Sequence, residues 1–144
     1  MRPDEIEDFL DDSMKVQVAT VNADGSPHLT TLFYVRREGR LCFWTYARSQ
    51  KIRNLERDPR ISCLVEDGEQ YFELRGVSLS GSARLVRDLE EVRVIGRGVV
   101  SRMSAGVDLG TAGDDEVERQ LPKRVGVVVT AESVASWDHR KMLA

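Results

Sequence analysis

Residues 39–68 read GRLCFWTYARSQKIRNLERDPRISCLVEDG. LCFWTY (41–46) is an apolar and aromatic run of strand length, and ISCLVED (61–67) alternates as a second strand. Between them, ARSQKIRNLERDPR (47–60) carries Arg48, Lys51, Arg53, Arg57 and Arg60 against only Glu56 and Asp58, although the whole chain carries a net charge of −3. Ser49 is an N-cap candidate, QKIRNLERD reads as a short helix, and Asp58-Pro59 ends it, because the residue before a proline is pushed out of helical geometry. A strand, a cationic helix and a second strand therefore follow one another with almost no linker.

Upstream, PDEIEDFLDD places Ile6, Phe9 and Leu10 at helical spacing behind Pro3 and early acids, so a short amphipathic helix is expected there. KVQVATV (15–21) alternates as a strand, NADGSP holds an Asp-Gly hairpin signal, and HLTTLFYVRR (28–37) returns as a second strand. The next turn, EGR, leads into LCFWTY. Downstream, GEQ turns the chain into a long extended stretch, YFELRGVSLSGSARLV (71–86), whose Gly76 and Gly81 mark bulges or barrel bends. DLEEVRVIGRGVVSRM (88–103) is a helix candidate weakened by Gly96 and Gly98. Residues 104–122 are polar and glycine-bearing and read as a loop or a poorly formed, mobile helix. RVGVVVTAESVASWD (124–138) closes the chain as one more buried strand and a short extended tail.

About six strands joined by short turns require antiparallel neighbours. Bends at glycines favour a small closed or split barrel over a flat sheet. The fold class is mainly β, a β-barrel with peripheral helices, in a single domain over residues 1–144. A chain of 144 residues is long enough to bury a real core. No apolar run reaches membrane-spanning length, and the acidic N-terminus lacks the apolar core of a signal peptide, so the expected compartment is cytoplasmic. The mild negative charge disfavours nucleic acid. Cys42 and Cys63 sit apart in apolar runs and read as buried thiols; no Cys/His spacing suggests a metal.

The cations of 47–60 divide on a helical wheel. Ile52 and Leu55 define the face that packs on the barrel. Arg53 and Arg57 fall roughly opposite, and Lys51 lies beside the apolar edge in the first turn. Free backbone N–H groups at that end welcome an anion. With the Ser49 hydroxyl, the Lys51 ammonium and the preceding Arg48 they make a phosphate-sized site. A plain N-cap beside a solvated lysine accounts for the same residues, and the pattern leaves both readings open.

The order ATVNADGSPHLTTLFYV, GRLCFWTYARSQKIRNLERDPRISCLVEDG and ELRGVSLSGSARLV, followed by a terminal SWDHRKM, closely resembles the pyridoxamine 5′-phosphate oxidase-like, FMN-binding split β-barrel family. It looks most like the flavin/deazaflavin branch that uses coenzyme F420. The likeness covers roughly residues 8–90 and 124–142, and its most specific signature is S-x-K-x-R-N-L-x-x-D-P-R after a strand. The resemblance implies a homodimer with cofactor clefts at the interface. It implies that Lys51 and Ser49, helped by Arg48 or Arg53, hold the cofactor phosphate. Thr30, Thr31 and Leu32 would meet the ring edge, and Phe43, Trp44, Thr45 and Tyr46 would shape the cleft, although Trp44 reads equally well as plain core. Trp137, with Asp138 and Arg140, would reach the partner's cleft.

The resemblance further implies hydride transfer between a reduced deazaflavin and a small organic acceptor, the protein supplying orientation and exclusion of water. No catalytic residue is singled out by the sequence. WDHRK differs from the substrate-binding Arg/His motif of pyridoxamine-phosphate oxidase itself, which argues against that activity. FMN, and a non-catalytic cofactor carrier, remain alternatives at this stage.

Overall fold

The Asp24-Gly25 turn sets the first register. Gly25 has φ +86°, its N–H donates to Asn22 O at 2.9 Å, and Asn22 N–H donates to Ser26 O at 2.9 Å. Strand β1 (Lys15–Val21) and strand β2 (Pro27–Phe33) are thereby aligned from Val21 opposite Pro27 to Lys15 opposite Phe33. This computed structural model describes residues 1–105 and 107–144. Helix α1 (Pro3–Asp12) precedes the hairpin. After it come β3 (Val35–Arg37), β4 (Arg40–Tyr46), α2 (Gln50–Arg57), β5 (Arg60–Asp67), β6 (Arg75–Val86), α3 (Leu89–Met103), α4 (Gly110–Gln120) and β7 (Arg124–Asp138).

The seven strands form one antiparallel sheet in the order β2-β1-β5-β6-β7-β4-β3, the expected mainly β architecture with peripheral helices. The two edge strands, β2 and β3, are consecutive in sequence. Residues 28–37, expected to form one strand, break at Tyr34: its N–H donates to Met14 O at 3.1 Å and its side chain is fully buried, with the hydroxyl donating to Leu10 O at 2.5 Å. The segment above Tyr34 pairs with β1 and the segment below pairs with β4, so one residue joins the two ends of a curled sheet. Among the described residues the strands therefore number seven, where about six were expected.

The barrel interior holds Val16, Val18, Tyr34, Phe43, Ile52, Leu55, Cys63, Val77 and Val127, closed by Phe9 and Leu10 of α1. A second core lies on the outside of β4, where Cys42, Trp44 and Val128 meet Val92, Ile95 and Val99 of α3 and Val117 of α4. The glycines that weaken α3 as an isolated helix serve this contact. A Cβ on Gly96 would stand 2.3 Å from Trp44 Cζ3, and one on Gly98 2.7 Å from Val35 Cγ2. The helix lies against β4 because those side chains are missing.

Downstream of β5 the structure sharpens several expectations. Residues 110–120, read as a loop or a poorly formed helix, are helix α4; its buried Val117 and the following Leu121 pack toward α3. Tertiary packing supplies the stability that its glycines withhold. Gly106, within the same predicted loop, lies outside the described residues. The long extended stretch opens with a 3₁₀ turn at Tyr71–Glu73 before β6 begins at Arg75. The expected bulge appears as a register shift between Ser80 and Gly81, where a Cβ on Gly81 would stand 2.0 Å from Thr130 O. After β7 the chain ends in a 3₁₀ turn, His139–Leu143.

Candidate functional site

Helix α2 crosses one end of the barrel. Its N-cap is Ser49, whose Oγ accepts the Ile52 N–H at 3.3 Å, and its last residue is Arg57, just before Asp58-Pro59. Ile52 and Leu55 are buried, and Asn54 is fully buried as well. On a wheel of about 100° per residue, Lys51 falls inside the arc from Asn54 to Ile52. This explains why Lys51 is only partly exposed and why burial lowers its ammonium pKa from the ordinary value.

Asn54 ties the helix to the barrel rim. Its Nδ2 donates to Thr20 Oγ1 at 3.0 Å and to Asn22 Oδ1 at 2.9 Å, while its Oδ1 accepts from Gln50 Nε2 at 2.8 Å. Arg57 donates to Val21 O and, at 3.4 Å, to Asn54 Oδ1. Helix α2 is thus fastened to the end of β1 and to the hairpin that leads into β2.

The five cations of 47–60 sort by partner. Arg60 pairs with Asp58 at 2.7 Å, and Arg57 is held by the backbone of β1. Glu56 pairs with Arg87 at 3.6 Å. Both local acids are therefore engaged. Among the described residues Arg48, Lys51 and Arg53 have no carboxylate within ion-pair distance, so the uncompensated charge is concentrated at the first half of α2.

Beside that end of the helix lies the seam of the barrel. Among the described residues β2 pairs only with β1, and β3 pairs with β4 only as far as Cys42. Phe43–Tyr46 and β2 therefore each present a free strand edge on this side. Register with β1 divides β2 between two faces. His28, Thr30 and Leu32 stand opposite Thr20, Val18 and Val16, which point into the barrel, whereas Thr31 stands opposite Gln17 on the outer face. Thr31 Oγ1 donates to Val16 O at 3.2 Å. The structure thus separates Thr31 from Thr30 and Leu32. His28 Nδ1 and Thr30 Oγ1 are buried with no hydrogen-bond partner among the described residues. Each such atom costs about 1–3 kcal/mol unless something meets it. His28 and Gln50 also line one shallow depression together with Asn22 and Asp24, which links this face of β2 to the start of α2.

On β4, Thr45 is buried and its Oγ1 donates to Ser49 Oγ at 3.5 Å. Tyr46 is exposed, with the Arg124 guanidinium 3.9 Å from its ring centroid and 5.1 Å from that of Trp44. Phe43, expected to shape the cleft, fills the barrel interior instead, and Trp44, which reads equally well as core, lies in the core beneath α3. Trp137 packs over Gly76 at the far end of β7, with a Cβ on Gly76 only 2.1 Å from Trp137 Cζ2. The strand path from Arg124 to Trp137 is on the order of 40 Å, so within one chain Trp137 does not meet Ser49. Asp138, expected beside it, accepts from Arg140 Nη2 at 2.7 Å, which holds its carboxyl down at about 2.

The structure therefore gathers Arg48, Ser49, Lys51, Arg53, Thr45 and Tyr46 at the α2 end, with Thr30 and Leu32 along the seam. It adds Asn54, His28, Gln50 and Arg124. Alternation in HLTTLF already placed His28 on the face of Thr30, but nothing in the sequence distinguished that face from the other. Among the described residues no group of His, Cys, Asp or Glu is arranged to hold a metal ion.

A barrel curled from one antiparallel sheet, open along a seam and headed by a cationic helix N-terminus, defines the split-barrel class. The chain belongs to the pyridoxamine 5′-phosphate oxidase family, whose model matches residues 3–138. A conserved hypothetical protein from Mycobacterium tuberculosis is 41% identical, with a TM-score of 0.92 over 100% of this chain and 89% of that one. An F420 reductase shares the fold at 19% identity and a TM-score of 0.62, over 90% of this chain and 94% of that one. HutZ, a heme storage protein from Vibrio cholerae, shares it at 24% identity and a TM-score of 0.69, over 96% and 95%. No curated protein matches the chain.

Proposed function

We propose that the protein is an oxidoreductase that binds coenzyme F420 at the seam and uses it to reduce a small organic acceptor. The observation that carries this reading is the coincidence of two unsatisfied sets. Three cations without carboxylate partners stand at the start of α2, and two buried polar atoms without partners stand along β2 beside it. A phosphorylated planar ring system answers both.

The residues present fit such a group. The Ser49 hydroxyl, the Lys51 ammonium and the first N–H groups of α2 would hold its phosphate, with Arg48 or Arg53 beside it. Partial burial strengthens the Lys51 contact, because the ammonium has already lost part of its water. Thr30 and Leu32 would bound the ring, and Thr45 would fix the Ser49 hydroxyl. When bound, the reduced deazaflavin supplies a hydride. The chain itself orients the ring, keeps water from the seam and presents the ring's open face to an acceptor. A homodimer, in which the partner's Trp137 segment closes the seam, is part of the proposal. It accounts for an aromatic residue carried on a strand end so far from α2.

The same fold in an F420 reductase supports this reading. FMN is the second reading, since one phosphate site accepts either ring. The three unpaired cations favour F420, whose acidic tail carries charge that FMN lacks. The test is titration of the purified protein with F420, FMN and heme, followed by ring fluorescence or visible absorbance. Hydride transfer from reduced F420 to enones, quinones and tetrapyrroles is then assayed. Tight F420 binding with turnover is the expected result. Binding without turnover on any acceptor would favour a carrier, and binding of heme but neither ring would overturn the proposal.

A further inference from the structure

We propose that His28 is a cofactor-binding residue of the seam, its Nδ1 donating a hydrogen bond to the carbonyl edge of the bound ring. The assignment rests on the cofactor reading above and extends it to a residue between the start of α2 and Thr30. Three observations meet here. First, His28 lies opposite Thr20 and therefore on the barrel-facing side of β2, on the same face as Thr30. Second, its Nδ1 and Thr30 Oγ1 are both buried and both without partners. A single orphaned atom is an isolated defect; two on alternate residues of an edge strand, about 7 Å apart along the backbone, form a row of donors waiting for acceptors. Third, His28 shares a depression with Gln50, the first residue of α2, adjacent to Ser49 and Lys51.

Among the described residues nothing meets His28 Nδ1, while the polar groups around it bond to one another. Asn22 Oδ1 is occupied by Asn54 Nδ2, and Asn22 Nδ2 donates to Ser26 Oγ at 3.2 Å. Gln50 Nε2 is turned to Asn54 Oδ1. Asp24 Oδ1 is held by Ser26, through its N–H at 3.0 Å and its hydroxyl at 2.5 Å. None of these bonds reaches the imidazole, which lies on the barrel-facing side of the edge strand β2. An acceptor there fixes the proton on Nδ1 and makes the ring a donor. Flavins and deazaflavins share a pyrimidinedione edge that carries such carbonyl acceptors.

The chain contains only two histidines, which makes the test direct. His139 is a built-in control, since its Nδ1 already lies 2.7 Å from Tyr71 O at the far end of the barrel. Long-range ¹H–¹⁵N spectra of the labelled full-length protein are recorded as F420, and separately FMN, is added to saturation. The expected result is a shift of the His28 ring nitrogens with the ring that binds, and none for His139. His28→Ala should weaken cofactor affinity on the order of tenfold, leave the affinity for inorganic phosphate unchanged, and be partly rescued by His28→Asn, whose amide nitrogen can take the place of Nδ1. Saturating cofactor with no movement of the His28 resonances, or a His28→Ala protein that binds like wild type, would overturn the assignment while leaving the cofactor reading intact. If wild type binds neither ring, both fall together.

Discussion

Asn54 Nδ2 donates to Thr20 Oγ1 at 3.0 Å across 34 residues of sequence, and this bond sets where α2 sits on the barrel. A fully buried amide with four side-chain partners is a structural pin, and it points the free end of the helix at the seam. Asn54→Ala removes its bonds to Thr20, Asn22, Gln50 and Arg57 together. We expect a loss of about 2–4 kcal/mol in urea unfolding, together with weaker cofactor binding. Asn54→Ala without measurable destabilisation would show that the network is dispensable.

Lys51 and Arg57 lie on one short helix with opposite expectations. Lys51→Ala should weaken F420 binding by one to two decades, the loss of a charge-assisted contact worth about 1.5–3 kcal/mol. Arg57→Ala should change affinity by much less, since its guanidinium is spent on Val21 O. Fluorescence titration of both variants decides the point; equal losses would mean that the phosphate lies elsewhere.

Gly96→Ala sets two effects against each other. Alanine improves helix propensity by about 1 kcal/mol. Its Cβ would, however, stand 2.3 Å from the ring of Trp44, a buried group in a filled core. Overpacking of this kind costs about 1–3 kcal/mol, so net destabilisation is expected, with a changed Trp emission spectrum.

Burial pushes the Cys63 thiol up to about 12, and burial also raises Cys42. A thiolate is the reactive form. Neither cysteine should react with a disulfide reagent at pH 8 until the protein unfolds, so labelling kinetics should track global opening.

Asp58 is held down at about 2 by hydrogen bonds from the Arg60 side chain and backbone. A depressed carboxylate pKa stabilises the fold above the unfolded value of 3.8 and loses that contribution as pH falls through about 2. Asp58→Asn should therefore flatten the acid limb of the stability curve between about pH 4 and 2. The effect should shrink in high salt, because the pair is exposed. An unchanged acid limb at low salt would remove Asp58 from the account.

The local chemistry of this protein was written in its sequence. Ser49 before an amphipathic helix, Asp58-Pro59 after it, Asp24-Gly25 between two alternating runs and Pro3 ahead of an apolar stripe each fix the backbone within a few residues, because caps, turns and proline geometry act locally. The cationic stretch and its Lys51 face were legible for the same reason. Which cations stay free was not, since Glu56 is spent on Arg87 from the far end of β6, a partner no spacing rule names. Tertiary structure alone decided the break at Tyr34, the helix at 110–120 and the burial of Trp44 under Gly96. Each depends on what another element presents: β1 and β4 compete for the two halves of one run, and α3 offers α4 an apolar face. It also chose between the faces of β2. Alternation places His28 beside Thr30 and opposes both to Thr31, but a period of two is blind to which side is the barrel. Only pairing with Val16, Val18 and Thr20 turns His28 and Thr30 inward, toward the seam that the cationic helix overlooks.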